Sequence, residues 1–456
     1  MSRLMISVSG VRGEVGQTLT PDVAAQFGAA FGTLLAAEGP DRRVVVARDS
    51  RPSGPAMRHA VAAGLMSCGV DVTDLGIVTT PGAALMTRHL AAHGAVVITA
   101  SHNPIQWNGM KFLRPDGIGL SVEQAAALKG IWEARRFAYA GPTVCGRESR
   151  DPYTHTRHVD AVLAIVDRNA IAARRFRVVL DSVNGAGGEA TASLLGKLGC
   201  ELVHLNGRPT GLFPHAPEPT AENLTDLCEQ VPRHRAAVGM AQDPDADRLA
   251  LVDETGRYIG EEYTLAICAA ATLERRRGCV ATNLSTSRMI DDIAAAAGVP
   301  VHRTPVGEAN VAARMLAEGC VLGGEGNGGV IDPRVVPVRD SLVGIALVLG
   351  YLARTGKTLS RIVAELPRYE MLKTKLSCPP QAAAAVAAAA RAHFAGRPGV
   401  RFDASDGLRV DLPAGWVHVR ASNTEPIMRI IAEAKDRPTA EAMIEEVRAM
   451  AEAAMR

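Results

Sequence analysis

The chain of 456 residues has almost no net charge, because 50 Lys and Arg residues face 48 Asp and Glu residues. This balance gives no electrostatic reason to expect nucleic acid or an anionic membrane as the main partner. None of the eight cysteines belongs to a CxxC pair. Several of them lie in apolar runs, so we expect buried, reduced thiols rather than disulfides or a zinc site.

Long apolar segments are also missing. The first residues, MSRLMISVSGVRG, contain no apolar core of the kind found in a signal peptide. The run LVGIALVLGYLA, from Leu342, is too short to span a bilayer and predicts a buried helix instead. We therefore expect a soluble, cytoplasmic protein with no membrane partner.

Three stretches of the chain share one plan: a β-branched run, a small or polar loop, an Ala-rich helix and a second short strand. They begin at Arg42, Arg175 and Gly278. Apolar strands that alternate with helices indicate parallel sheets covered on both faces. Their spacing of about a hundred residues indicates three related α/β domains. Any α/β protein contains such units, however, and the repeat alone leaves both interpretations open.

The part of the chain after residue 370 has a different pattern. An Ala-rich helix follows Pro379 and Pro380, and three segments then alternate polar and apolar residues. Such alternation is typical of strands with one covered face, and hence of a smaller α+β domain. We predict α/β domains over residues 1–150, 151–255 and 256–370, with mixed and mainly parallel sheets, and an α+β domain over residues 371–456.

Four polar loops are candidates for chemistry. In the first, an apolar run ends at Ser101, His102, Asn103 and Pro104. A Ser nucleophile needs an activating base or a stabilised phosphorylated form, and an adjacent His such as His102 rarely reaches the neighbouring hydroxyl. Pro104 restricts Asn103 to extended geometry. From these residues alone, a simple turn at the end of a strand is the slightly better interpretation.

The second loop is DPDADR. Its three alternate carboxylates, Asp243, Asp245 and Asp247, can converge on one hard cation. An EF-hand would use Glu254 as its last ligand, but Arg248 stands where that motif needs Gly, and the flanking segments resemble strands. Three carboxylates this close repel one another without a cation. We therefore expect a divalent metal site rather than a solvated acidic turn.

The third loop, GGEGNGG, combines glycines that let a backbone approach a ligand with two polar side chains, Glu325 and Asn327. These side chains can accept hydrogen bonds from, and donate them to, sugar hydroxyls. The loop lacks the Lys-Ser/Thr of a nucleotide-binding P-loop. In isolation, a Gly-rich turn with incidental polar residues explains it equally well.

The fourth loop is RASNTEPIMR. Its two guanidinium groups, at Arg420 and Arg429, bracket the polar residues Ser422, Asn423 and Thr424. Such a set of donors suits a phosphate dianion. The alternative is a hairpin turn with hydroxyl caps and a surface Arg-Glu pair.

The order of these four loops along the chain resembles the α-D-phosphohexomutase family. The resemblance covers essentially the whole chain and includes SGVRG at Ser9, RDSRPSG at Arg48, FPHAPEPTAENL at Phe213 and TPVGE at Thr304. DPDADR and RASNTEP in this arrangement are highly specific to that family. The resemblance implies three related α/β domains and a smaller C-terminal domain around a central cleft.

The resemblance also implies a reaction. Ser101 matches the family's phosphoserine, which donates its phosphoryl group to a sugar monophosphate and recovers one from the resulting bisphosphate. Phosphorylated Ser101 and the three carboxylates of DPDADR would hold Mg²⁺. His102 would support the loop, and Lys111 would act as the general acid and base. Cations such as Arg12 and Arg248 around Lys111 could lower its pKa.

Recognition of the substrate is implied to be divided between the third and fourth loops, which read ring hydroxyls and the non-reacting phosphate. The residues assigned to the substrate are Arg248, Glu325, Asn327, Arg420, Ser422, Asn423, Thr424 and Arg429. The implied cofactors are Mg²⁺, a hexose 1,6-bisphosphate as activator, and phosphorylation of Ser101. We expect a small sugar phosphate as partner and a monomer or homodimer as the assembly.

The third loop departs from the family's common G-E-x-S-G-H form, because Asn327 stands at the Ser position and Gly329 at the His position. GEGNGG is more similar to a largely archaeal branch of phosphoglucosamine mutases. Glu308 stands where enzymes for glucose or mannose phosphate often carry His. We therefore expect glucosamine phosphate, with glucose or mannose phosphate as the alternative. A Ser- and metal-dependent phosphatase and a non-catalytic sugar-phosphate sensor are the rivals from other classes.

Overall fold

The first domain is built around apolar, β-branched strands. The computed structural model of the protein describes residues 4–36, 39, 42–421 and 427–455. Every residue of the strand Gly94–Ile98 is buried, as expected for a sheet covered on both faces. The strands are β1 (Met5–Ser7), β2 (Gly10–Glu14), β3 (Arg43–Arg48), β4 (Asp71–Ile77), β5 (Gly94–Ile98), β6 (Trp107–Leu113) and β7 (Glu148–Arg150). The helices are α1 (Pro21–Ala36), α2 (Gly54–Ser67), α3 (Thr80–His89) and α4 (Val122–Ala134).

The second and third domains each carry a sheet of four strands. The second contains α5 (Thr154–Leu163), α6 (Arg168–Arg174), β8 (Arg177–Asp181), α7 (Gly188–Lys197), β9 (Glu201–Leu205), α8 (Thr225–Arg233), β10 (Val238–Gln242) and β11 (Leu249–Val252). The third contains α9 (Glu261–Leu273), β12 (Val280–Asn283), α10 (Met289–Ala296), β13 (Val301–Thr304), α11 (Glu308–Glu318), β14 (Leu322–Glu325), β15 (Gly329–Ile331), α12 (Ser341–Thr355) and α13 (Leu359–Glu365).

The three domains share one strand arrangement. Three parallel strands and one antiparallel strand occur in the order β4-β3-β5-β6, β9-β8-β10-β11 and β13-β12-β14-β15. In the first domain, β1, β2 and β7 extend this unit to seven strands. The predicted repeat of three related α/β domains with mixed, mainly parallel sheets is therefore confirmed.

A fourth domain of α+β type follows, as predicted. Its antiparallel sheet has the order β16-β20-β19-β18-β17. The strands are β16 (Glu370–Ser377), β17 (Arg401–Asp403), β18 (Leu408–Leu412), β19 (Gly415–Ala421) and β20 (Ile427–Ala434), and the helices are α14 (Ala383–Phe394) and α15 (Arg437–Ala454). Alternating residues of β18–β20 pack with Phe394 of α14 and Val447 of α15 in a separate apolar cluster.

One apolar cluster runs through the first three domains and includes Val97, Met240 and Val280. No buried apolar cluster of the described residues joins the third domain to the fourth. The boundary between those two domains is polar instead. A cavity of about 600 Å³ lies there, lined mainly by charged and polar side chains such as Arg288 and Asp411.

The segment from Leu342 forms the buried helix that its sequence predicts. Helix α12 has ten buried residues and packs within the shared apolar cluster. Among the residues that the structure describes, no single helix has both the length and the apolarity to cross a membrane. Only α12 and α13 taken together meet those criteria, and an 88° bend separates them.

Candidate active site

Each of the first three domains places a polar turn at the same topological position, between its last parallel strand and its antiparallel strand. The turn β5–β6 carries Ser101, the turn β10–β11 carries residues 243–248, and the turn β14–β15 carries residues 326–328 directly after Glu325. The carboxyl ends of parallel strands are the usual location of ligand sites in α/β domains. One repeated structural device therefore supplies three of the four predicted loops.

Ser101 lies in a constrained and buried turn. Its backbone φ of 50° is left-handed, a conformation that residues other than glycine seldom adopt. Its amide donates to Oγ1 of Thr99 at 2.9 Å. Its own Oγ donates to Oδ2 of Asp243 at 2.8 Å, so the structure brings the first and second predicted loops into direct contact.

A buried ion pair stabilises the turn that carries Ser101. Arg51 and Asp49 are both fully buried and contact each other. Nη2 of Arg51 donates to the carbonyl oxygens of Ser101, at 2.8 Å, and Asn103, at 2.6 Å. Asp49 accepts a hydrogen bond from Thr99 at 2.7 Å. These two residues belong to the quoted segment RDSRPSG, to which sequence reasoning gave no role.

His102 is neutral at ordinary pH. Burial, together with the nearby Arg248 and Arg12 guanidinium groups, lowers the pKa of His102 to about 2. Nδ1 of His102 lies 3.3 Å from Oγ of Ser101, and its Nε2 lies 3.7 Å from a carboxylate oxygen of Glu218. Because His102 is uncharged, the latter contact is no ion pair. The predicted supporting position of His102 agrees with this geometry.

Two predicted cations surround the turn. Nη1 of Arg12 donates to Oδ1 of Asn103 at 2.8 Å, and burial lowers the pKa of the Arg12 guanidinium. Nη1 of Arg248 lies 3.7 Å from Glu218. Glu218 belongs to the quoted segment FPHAPEPTAENL and contacts both His102 and Arg248, a position that the sequence alone did not reveal.

The three carboxylates of DPDADR form one buried cluster. One oxygen from each of Asp243, Asp245 and Asp247 lies within 4.8 Å of the others, and all three residues are fully buried. Oδ1 of Asp243 accepts the backbone amides of Asp247 and Arg248, both at 3.1 Å. In the part of the chain that the structure describes, Oδ1 of Asp245 and Oδ1 of Asp247 have no hydrogen-bond partner.

This cluster fits a hard divalent cation. Buried carboxylate oxygens without partners are costly unless a cation or donor satisfies them, and Mg²⁺ prefers oxygen ligands. Burial and the neighbouring charges of Asp247 and Asp245 raise the pKa of Asp243. The EF-hand alternative is excluded, because strands β10 and β11 flank the loop and Glu254 instead accepts the amide of Ser360 at 3.1 Å.

The structure reverses one expectation for Lys111. Its Nζ donates to Oδ2 of Asp245 at 2.7 Å and to Oδ2 of Asp247 at 3.0 Å. Burial acts to lower the pKa of Lys111, but these two carboxylates outweigh burial and raise it above the ordinary lysine value. The prediction of a lowered pKa considered nearby cations and missed the carboxylates, which lie closer.

Arg339 connects the second loop, DPDADR, to the third loop, and sequence reasoning missed it. Its Nη2 donates to Oδ2 of Asp247, its Nη1 to Oε2 of Glu325, and its Nε to Oε2 of Glu308, at 2.7, 2.7 and 2.8 Å. The planar guanidinium suits three separate carboxylates in a way that a lysine ammonium does not. No local motif marks this residue, because its partners come from three distant segments.

The third loop is held at both ends. Oε1 of Glu325 accepts hydrogen bonds from Asn283, at 2.7 Å, and from the amide of Gly307, at 3.1 Å. The carbonyl of Gly328 accepts the amide of Leu249, the first residue of β11, at 3.0 Å. Gly328 has a φ of +83°, and a Cβ there would lie 2.4 Å from the carbonyl oxygen of Leu249. Only glycine avoids strain where these two backbone segments lie so close together.

Two further side chains complete the surroundings of the third loop. Oδ1 of Asn327 accepts the amide of Gly329 at 3.3 Å, so Asn327 shapes the turn that carries it. Glu262, at the start of α9, lies against Gly326, where an added Cβ would clash with its carboxyl group. Burial raises the pKa of Glu262 to about 8. Sequence reasoning gave Glu262 no role.

The fourth loop lies partly outside the described residues, which omit Ser422, Asn423 and Thr424. The flanking cations are described. Arg420 and Arg429 are paired across the antiparallel strands β19 and β20. Nε of Arg420 lies 3.0 Å from Oδ2 of Asp406. The same carboxylate oxygen accepts the amide of Val306 in the third domain, at 3.0 Å.

Comparison with known proteins identifies the family. The family profiles for the phosphoglucomutase/phosphomannomutase α/β/α domains I, II and III match residues 3–138, 156–256 and 261–369. The profile of the C-terminal domain matches residues 371–450. The chain belongs to the phosphoglucomutase/phosphomannomutase family. The predicted phosphohexomutase resemblance and the four-domain fold are thereby confirmed.

Relatives that carry different mutase names are similar to the chain over nearly its full length. A "Phosphoglucomutase/phosphomannomutase" of Thermococcus kodakarensis is 42% identical over 96% of each chain. A "Probable phosphoglucosamine mutase" of Methanopyrus kandleri is 37% identical over 96% of this chain and 95% of its own length. The crystal structure of a family member from Burkholderia thailandensis has a TM-score of 0.86 and 30% identity, and covers 99% of this chain and 98% of its own.

Family membership establishes the class of activity. The relatives carry the names of mutases, which are isomerases that move a phosphoryl group within a carbohydrate phosphate. In this phosphohexomutase, hydrogen bonds connect the Ser101 turn to the acidic cluster, and Arg339 connects that cluster to the third loop. The candidate loops of the first three domains thus form one continuous polar site.

Proposed function

We propose that the protein interconverts hexose 6-phosphates and hexose 1-phosphates through a phosphorylated Ser101 and a 1,6-bisphosphate intermediate. The observation that carries this proposal is the 2.8 Å contact between Oγ of Ser101 and Asp243, at the edge of the three-carboxylate cluster. A nucleophilic hydroxyl next to a hard-cation site is the arrangement that phosphoryl transfer requires.

The reaction divides into two balanced transfers. In the first, the P–O bond of phosphorylated Ser101 breaks as a new P–O bond forms to the free hydroxyl of the sugar monophosphate; that hydroxyl loses its proton, and Oγ of Ser101 takes one up. In the second, after the bisphosphate has reversed its orientation, the P–O bond of its other phosphate ester breaks as a P–O bond forms to Oγ of Ser101, which loses its proton, and the released sugar oxygen takes one up. Mg²⁺ held by Asp243, Asp245 and Asp247 would neutralise charge on the phosphoryl oxygens.

The residues around Ser101 hold this geometry in place. Arg51 fixes the carbonyl groups of the turn, so Oγ keeps its direction towards Asp243. His102 is neutral and lies next to Oγ, where it can exchange a hydrogen bond with a phosphoryl oxygen. The role of Lys111 as general acid and base remains a prediction. The assignments of Arg248, Arg420 and Arg429 to the substrate also remain predictions.

We further propose glucosamine phosphate as the preferred substrate. Three carboxyl groups surround the third loop, those of Glu325, Glu308 and Glu262. Arg339 is the cation that contacts the first two of them. Glu262, with a pKa of about 8, is mainly uncharged near neutral pH. Glu308 and Glu325 together still exceed the single charge of Arg339, and this excess of negative charge favours a sugar that carries an ammonium group. The probable phosphoglucosamine mutases among the relatives support the same choice.

A second candidate is a phosphoglucomutase or phosphomannomutase that uses the same mechanism. The relative from Thermococcus kodakarensis, at 42% identity, carries that name. A panel of substrates tests both candidates: the 1-phosphates of glucosamine, glucose, mannose and N-acetylglucosamine, each assayed for conversion to the 6-phosphate with Mg²⁺ and trace bisphosphate.

We expect the highest kcat/KM for glucosamine 1-phosphate. A higher value for glucose or mannose 1-phosphate would keep the mutase mechanism and overturn the assignment of the sugar. Release of inorganic phosphate as the main product would instead indicate a phosphatase. Binding of the sugar phosphates without any turnover would indicate a sensor and overturn the proposed reaction.

A further inference from the structure

Two thiols and one imidazole lie together at the end of the third domain's sheet that is opposite the third loop. We call these residues, Cys279, His302 and Cys320, the soft cluster. Cys279 directly precedes β12, His302 lies in β13, and Cys320 stands two residues before β14. One ligand atom from each lies within 4.8 Å of the others. The two Sγ atoms are 2.9 Å apart, so the thiols are already in contact.

Contrary to the expectation from the sequence, we infer that Cys279, His302 and Cys320 bind one thiophilic cation of the Zn²⁺ class, with water as the fourth ligand. Zn–S bonds of about 2.3 Å and Zn–N bonds of about 2.0 Å place tetrahedral ligand atoms roughly 3.4–3.8 Å apart. The ligand atoms of the cluster all lie within 4.8 Å of one another, which is close to that spacing. On binding, both thiols release their protons to solvent, and neutral imidazole donates a ring nitrogen.

The surroundings of this soft cluster favour a cation. Cys320 is buried, whereas Cys279 and His302 are partly exposed, which leaves a route for the ion and the water ligand. Sγ of Cys279 lies 3.5 Å from the carbonyl oxygen of Glu318, the last residue of α11. The carboxyl end of a helix carries partial negative charge, which attracts a positive ion.

The soft cluster differs in chemistry from the acidic cluster of the active site. Thiolate and imidazole ligands select Zn²⁺ and similar ions, whereas three carboxylates select Mg²⁺. The inference therefore does not depend on the proposed function. Strand β14 nevertheless connects the two regions. It begins two residues after Cys320 and ends at Glu325, about 16 Å from Cys320 along a parallel strand.

The test is a Co²⁺ titration of the full-length, reduced and metal-free protein in the presence of excess Mg²⁺. Mg²⁺ occupies carboxylate sites, and a thiolate-to-Co²⁺ charge-transfer band in the near ultraviolet reports sulfur ligands alone. We expect the band to saturate at one equivalent of Co²⁺, with visible absorption typical of a tetrahedral ion, and Zn²⁺ to displace the Co²⁺.

Three variants locate the ion. Cys279→Ser should remove part of the charge-transfer band, and Cys320→Ser should do the same. His302→Ala should keep the band but weaken binding at least about tenfold, since even the loss of an outer-shell partner costs that much. Cys145→Ser removes an exposed thiol elsewhere and should change nothing. His302 is partly exposed on a strand, so its replacement keeps the test valid if a cysteine variant fails to fold.

Two results would overturn the inference. One is the absence of a charge-transfer band, or a band that keeps its full intensity in both cysteine variants. The other is a disulfide between Cys279 and Cys320, detected as the loss of two thiols by mass spectrometry of the alkylated protein, that forms in air even when Zn²⁺ is present. That second result would identify the pair as redox-active rather than metal-binding.

Discussion

Oγ of Ser101 donates a hydrogen bond of 2.8 Å to Oδ2 of Asp243, although the two residues are 142 positions apart in the chain. They come from equivalent turns of two related domains. Repetition of one βαβ plan thus places the proposed nucleophile and a carboxylate of the proposed metal site side by side. Each turn alone is unremarkable, and chemistry becomes possible only where the two domains meet.

Replacement of Ser101 by Ala tests the nucleophile. We expect turnover to fall by on the order of 10³-fold or more, because Oγ of Ser101 is the proposed carrier of the phosphoryl group, while sugar phosphate still binds in calorimetry. Ser182→Ala is the matched control. Ser182 is equally buried, follows β8 and bonds His204 at 2.9 Å. Full activity of the Ser101 variant would contradict the mechanism.

Replacement of Asp245 by Asn tests the acidic cluster. We expect Mg²⁺-dependent turnover to be abolished and the melting temperature to be kept, since Asn still accepts the 2.6 Å hydrogen bond from Thr80. The control is Asp253→Asn, which changes a buried carboxylate of the next turn that bonds Thr255 and Arg257. A normal rate with an unchanged Mg²⁺ requirement would remove Asp245 from the site.

Replacement of Arg339 by Lys tests the connection between the DPDADR loop and the third loop. The compact ammonium group of a lysine does not reach all three of the carboxylates that lie around the planar guanidinium, so we expect kcat/KM to fall roughly 10- to 100-fold. The apparent Mg²⁺ affinity and the sugar KM should change together. Arg334→Lys alters a comparable arginine that pairs with Asp332 alone, and it should leave both constants unchanged. A shift in only one of the two would argue against coupling through Arg339.

Glu262 predicts a pH-dependent stability. Its folded pKa of about 8 exceeds the ordinary 4.5, so its protonated form stabilises the fold below pH 4.5, and this contribution is lost as pH rises through 8. The side chain in Glu262→Gln cannot ionise, so the variant does not lose this stability as pH rises. We expect the melting temperature of the variant to rise relative to the wild type between pH 5 and pH 8, by roughly 2–5 °C, and then to level off.

The charged neighbours of Glu262 set the limits of that test. Lys373 lies 4.0 Å away and favours the ionised form, while Glu261 and Glu433 oppose it. In the protein that keeps Glu262, Lys373→Met should therefore make the melting temperature depend more strongly on pH. A constant difference between Glu262→Gln and the wild type across this pH range would show that Glu262 titrates normally.

The state of Ser101 predicts the kinetics of purified enzyme. If intact mass shows no phosphate on Ser101, the reaction should begin with a lag or require a hexose 1,6-bisphosphate, because the first transfer needs a phosphorylated enzyme. Addition of the bisphosphate should remove the lag. Immediate turnover by unphosphorylated protein, without bisphosphate, would contradict the proposed intermediate.

The sequence predicted the fold well because the relevant signals are local. Each strand of the repeated plan is a short β-branched run, and each loop begins where that run ends. The buried helix from Leu342 could be recognised in the same way, since ten of its residues are apolar or small and enclosed. DPDADR also contains its own chemistry, because its three carboxylates lie in one short loop and converge there.

The remaining site residues depend on long-range contacts that no local pattern reveals. Arg339 becomes informative only when Asp247, Glu308 and Glu325 are seen around it. The pKa of Lys111 depends on two carboxylates that lie more than a hundred positions away. The soft cluster of the third domain has no recognisable spacing for the same reason, as its ligands lie at or just before the starts of three neighbouring strands.

The polar boundary between the third and fourth domains has an energetic consequence. Contacts across it include Ser285 with His418 at 2.9 Å and the amide of Arg288 with Glu433 at 2.8 Å. A rotation of the fourth domain would exchange such contacts for water and expose none of the apolar surface shared by the other three. The free energy of such a rotation would therefore depend on hydration and ionic strength rather than on the burial of apolar surface.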